Sequence, residues 1–127
     1  MELKDLLELY EKIESRINAY WTYWSVAIFA IAGWLFSGKQ SLSREQAIGV
    51  SIGVMIFFFA NLGVLWPATR LAMGIRDEIR LKAKEVNFLS SKLSKAFEED
   101  ALAFRLQLTL FLHSAVDCVV LWALFSV

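Results

Sequence analysis

With 127 residues, 57% of them hydrophobic and only 20% charged, the chain is too apolar for an ordinary soluble domain of its size. Thirteen basic side chains face thirteen acidic ones, a balance that argues against nucleic acid as a partner. The single Cys118 rules out an intrachain disulfide.

Residues 1–19 read as an amphipathic helical arm. Leu3, Leu6, Tyr10, Ile13, Ile17, Tyr20 and Trp24 are spaced alternately by three and four, the pattern of a helix packed along one seam. No Gly or Pro interrupts it, so one helix is expected from Glu2 to Phe36. At about 1.5 Å per residue the arm projects about 27 Å. Its acidic residues Glu2, Asp5, Glu8, Glu11 and Glu14 disfavour lying flat on anionic lipid.

Residues 20–36 form the first of three continuous apolar runs; 47–66 and 105–127 are the others. Each reaches the roughly 17–25 residues that a helix needs to cross hydrocarbon. A lipid-embedded backbone must satisfy its own hydrogen bonds, and three runs are too few for a closed barrel. Transmembrane helices follow. The first is not a signal peptide, because charged helix-periodic residues precede it and no small-x-small cleavage pattern ends it.

Residues 37–46 are a short connecting loop. In the second span Gly49, Gly53 and Gly63 lack side chains, so another helix can approach closely there, either from the same chain or from another. Pro67 is expected to kink the helix. Residues 67–104 then read as a helical hairpin. Its seam is Ala72, Ile75, Ile79, Val86, Leu89 and Leu93, its reversal lies between Asn87 and Ser91, and Lys92 to Phe104 returns to the membrane. The seam residues Leu6, Tyr10, Ile13, Ile79, Val86 and Leu93 are expected to hold the arms together.

Lys and Arg set the expected orientation. Eleven lie in the amino-terminal segment and the second loop counted through Arg105, and two in the first loop. The positive-inside bias therefore puts the amino terminus and residues 67–104 in the cytoplasm and the carboxyl terminus outside, in an inner or plasma membrane. The expected fold is all-α: three transmembrane helices extending into a cytoplasmic helical bundle, assembled as a homo-oligomer.

The third span carries a polar stripe. Arg105, Thr109, His113 and Asp117 recur every four residues and share one helix face. A lone carboxylate at membrane depth is costly, so Asp117 must be protonated, bonded, or turned toward water or protein. His113 lies one turn away as a possible donor to it, with Asn61 and Ser114 as further polar partners. An interhelical hydrogen-bond network ranks first for this stripe, ahead of a pore lining, ahead of proton transfer. A metal site ranks last, since one helix offers too few ligands.

The chain shows no nucleotide-binding glycine loop, zinc-ligand cluster or hydrolase pattern, so neither catalysis nor a cofactor is expected. Two functions remain. One is an oligomeric channel-like or membrane-perturbing assembly, with cytoplasmic helices for coupling or docking. The other is a non-conducting structural or regulatory membrane subunit that binds a partner protein. Both place the chain in a lipid bilayer with self-association and a possible cytoplasmic protein partner.

Overall fold

The computed structural model describes residues 1–38, 42–88, 91–98 and 104–126. Within them are four α-helices: α1 (Leu3–Phe36), α2 (Arg44–Ala83), α3 (Ser91–Glu98) and α4 (Arg105–Ser126). Three of these, α1, α2 and α4, are long and apolar enough to cross a membrane.

Local chemistry sets the helix ends. After α1 the chain turns at Gly38, whose φ of 68° lies where a side chain is strained. The start of α2 is a reciprocal cap: Ser43 Oγ accepts from the Gln46 N–H at 3.1 Å, and Gln46 Oε1 accepts from the Ser43 N–H at 3.0 Å. At the start of α1, the Asp5 carboxylate takes the Glu2 N–H at 3.2 Å. The helix α2 continues through Pro67 to Ala83.

At about 1.5 Å per residue, the 22 residues of α4 span about 33 Å, close to a hydrocarbon core of roughly 30 Å. The 34 residues of α1 and 40 of α2 overrun that thickness. Contacts fix the relative directions. Glu14 and Trp24 of α1 meet Arg105 and Asp117 of α4 in the same chain order, so α1 and α4 run parallel. The α2 residues Asn61 and Ile79 lie toward Tyr20 and Leu6 respectively, so α2 runs antiparallel to both.

Two apolar clusters divide the interior. One joins Leu6, Ile13 and Ile17 of α1 to Leu65, Ala72, Ile75 and Ile79 of α2. The other joins Trp24, Phe58, Val120 and Leu124, one α1, one α2 and two α4 residues. Outside them the helices remain apolar: Phe29, Ile56, Phe59, Phe111 and Val119 are all more than half exposed. So large an uncovered apolar surface suits lipid and is foreign to a soluble monomer. In lipid the second cluster is held by van der Waals fit, because lipid tails are as apolar as the side chains it buries.

The hairpin of residues 67–104 differs from its expected form. Its outgoing arm ends at Ala83, and turns at Glu85 and Val86 follow in place of helix to Asn87. Its return is the eight-residue α3. That helix packs on α2 through Phe97 and through Arg76 Nη2, which donates to the Ala96 carbonyl at 2.8 Å. Phe88 stacks on Phe97 with centroids 5.2 Å apart. Residues 99–103, the rest of the expected returning arm, and Leu89 and Ser90 of the expected reversal lie outside the described residues.

The seam residues consequently divide. Leu6, Ile13 and Ile79 are buried and Tyr10 is half-buried, all in the α1–α2 cluster. Val86 and Leu93, expected in the same seam, are exposed in the single chain. Val86 falls past the end of α2, and α3 meets α2 through Phe97 and the Arg76–Ala96 hydrogen bond.

Candidate functional site

The polar stripe of α4 faces inward, against α1 and α2 of its own chain. Thr109 and His113 are buried, while Arg105 and Asp117 are half-buried. Helical periodicity puts all four on one face, and Val120 and Leu124 continue that face as buried apolar packing.

Arg105, His113 and Asp117 all meet residues of α1. The Arg105 guanidinium makes a two-pronged ion pair with Glu14 of α1; Nη1 donates to Oε1, and Nη2 donates to Oε2 at 2.7 Å. Such a fork uses the planar geometry of both groups and fixes the start of α4 against α1. Nearby, burial and then the Glu14 carboxylate hold the Tyr10 phenol above the ordinary tyrosine range.

About two to three helical turns further along, α1 supplies two indoles, Trp21 and Trp24. Trp24 stacks on the His113 ring at 4.3 Å and 25°, and Trp21 meets it edge-on at 4.6 Å and 68°. The two indoles, three residues apart on one helix face, are mutually perpendicular at 5.5 Å. Trp24 Nε1 then donates to Asp117 Oδ1 at 3.0 Å. One indole thus packs His113 with its face and satisfies Asp117 with its edge.

His113, a possible donor to Asp117, is engaged elsewhere. His113 Nδ1 lies 3.1 Å from the Thr109 carbonyl oxygen, which can only accept, so Nδ1 carries a proton. Nε2 is buried and meets no hydrogen-bond partner among the described residues. With Nδ1 engaged by the Thr109 carbonyl and the ring stacked on Trp24, Asp117 is left to the Trp24 N–H.

Asn61, a second expected partner of Asp117, instead donates from Nδ2 to the Tyr20 carbonyl at 3.4 Å, joining α2 to α1. Ser114 is exposed and shares with Asp117 a groove between α2 and α4. Ser51 Oγ is buried with no partner among the described residues. Gly49, Gly53 and Gly63 are exposed, and a Cβ added to any of them would meet nothing within 4 Å. Among the described residues no helix therefore uses the close approach that these glycines permit.

Glu14, Trp21 and Trp24 are the site residues that sequence reasoning missed. Trp24 lay in the seam of α1, but a seam position does not reveal which helix an indole will face. The available signal was the indoles' shared apolar face with Tyr20 and Ile17, one turn apart. Among the described residues no group of three His, Cys, Asp or Glu side chains could hold a metal ion.

Comparison with protein-family models, with curated proteins and with solved structures gives no match.

Proposed function

We propose that the chain is a non-conducting structural or regulatory membrane subunit that self-associates through the glycine face of α2 and docks a partner protein through its polar arms. The observation that carries this reading is the fully buried His113 within its own three-helix packing. The channel-like reading calls for the stripe to line a shared aqueous axis, whereas Arg105, His113 and Asp117 all turn to α1. Proton transfer needs a continuous polar chain, and among the described residues Nε2 of His113 has no onward partner.

Self-association is supported by Gly49, Gly53 and Gly63, whose open sides leave room for a second backbone. Gly53 also borders a shallow depression with Ala27 and Ala30 of α1, a small-residue surface that a transmembrane helix fits. The arms carry the excess of Lys and Arg that supports a cytoplasmic amino terminus and second loop, in an inner or plasma membrane. Docking to a cytoplasmic protein, without catalysis, is the role we assign to them.

The test is subunit mass in lipid nanodiscs, with conductance recorded from the same preparations. The expected result is an assembly for wild type, a smaller mass for Gly53→Leu with unchanged helicity, and no current. A wild-type monomer at every concentration refutes self-association. A steady current whose selectivity changes in Asp117→Asn refutes the non-conducting role and restores the channel.

A further inference from the structure

Between α2 and α4 lies a cavity of about 260 Å³, near the lower limit of the roughly 300–1,000 Å³ typical of small-molecule sites. Phe58, Phe59 and Leu62 form its α2 wall, and Ser114, Asp117 and Leu121 its α4 wall. Its lining is apolar apart from the Asp117 carboxylate, the Ser114 hydroxyl and the Cys118 thiol. Asp117 Oδ1 is held by Trp24 Nε1 at 3.0 Å, and among the described residues Oδ2 accepts no hydrogen bond. No basic side chain pairs with this carboxylate among the described residues.

We infer that this groove binds a small lipophilic amine, seating its apolar body against Phe58, Phe59 and Leu62 and its ammonium on the Asp117 carboxylate. Charge complementarity selects the occupant. A carboxylate facing hydrocarbon is stabilised by a cation, and an ammonium supplies both the charge and donors for the open oxygen. Ser114 adds an acceptor beside it. A second copy of the chain would bring another aspartate to the same place, and a phospholipid phosphate would bring a like charge. The cavity is also too small for a helix, whose diameter with side chains is about 10–12 Å. Trp24 fixes the carboxylate from behind, so the site is set before the ligand arrives. This inference is independent of how subunits associate.

The test uses the full chain in phosphatidylcholine nanodiscs, with empty discs as the control for partitioning. Binding of 3-phenylpropylamine is compared with that of its neutral counterpart 3-phenylpropanol by ligand-observed NMR titration. Saturable amine binding is expected, at least about tenfold tighter than the alcohol, as a charge-assisted bond requires. Asp117→Asn should weaken the amine by about the same factor and leave the alcohol unchanged. Ser114→Leu changes an exposed position, keeps the Trp24–Asp117 bond and fills the groove; it should abolish binding of both. If Asp117→Asn fails to fold, Ser114→Leu decides alone. Amine binding equal to that of empty discs, equal affinity for amine and alcohol, or wild-type amine affinity in either folded variant overturns the inference.

Discussion

Removing one partner of the Glu14–Arg105 pair should separate the amino-terminal end of α4 from α1. The two side chains are 25% and 20% exposed, so the pair lies between two measured regimes. Exposed pairs contribute about 0–1 kcal/mol, and truncating one side of a fully buried pair costs about 3–5 kcal/mol. Solvent still screens part of this pair, which lowers the figure from the buried limit. Its two-pronged geometry raises it above a surface contact. A coupling of about 1.5–2 kcal/mol follows, more than tenfold in an unfolding constant. The assay is a double-mutant cycle of Glu14→Gln, Arg105→Met and the double variant, unfolded reversibly in mixed micelles and followed by tryptophan fluorescence. Each substitution should cost more in wild type than in the background where the other partner is already changed. A coupling below about 0.5 kcal/mol would show that the fork does not hold α4 to α1.

Ile13→Asp places a charge in the α1–α2 cluster against Ile75 and Ile79; the amino-terminal arm should become protease-sensitive, and wild-type resistance would contradict its packing. Tyr10 supplies a pH-dependent outcome. Its raised pKa means the unfolded chain loses the phenol proton first, so stability is full below the ordinary value near 10 and falls as pH rises through the folded value. In a Tyr20→Phe, Tyr23→Phe background, tyrosinate absorbance should appear above the ordinary range and shift down in Glu14→Gln. Titration at or below the free value would place Tyr10 in water.

Much of the fold was legible because three apolar runs admit few structures in hydrocarbon. The seam through Leu6, Ile13, Ile17 and Trp24 was equally readable, since its alternating spacing coincides with the residues that α1 buries. The arms beyond Ala83 were less so. Ile79 and Val86 share the same seam in the sequence, but helix length decides which packs, and no strong stop signal marks Ala83. At the site, the four-residue spacing identified the stripe and its common face. It could not identify the partners, because Trp24 meeting Asp117, and Glu14 meeting Arg105, depend on the register between helices far apart in the chain. The partner of His113 was hidden for a related reason: it is a backbone carbonyl of its own helix, which no side-chain pattern reveals.

The most direct test is whether His113 contacts Trp21 and Trp24 of the same chain in a bilayer. The chain has a single histidine, so an imidazole ¹⁵N signal reports this residue alone. Solid-state NMR should show cross-peaks from that ring to indole carbons when both labels are on one chain, with Nδ1 protonated. A mixture of chains carrying either label alone should show none. Cross-peaks in the mixture, or their absence from the doubly labelled chain, would place His113 outside its own helix packing and contradict the inward-facing stripe.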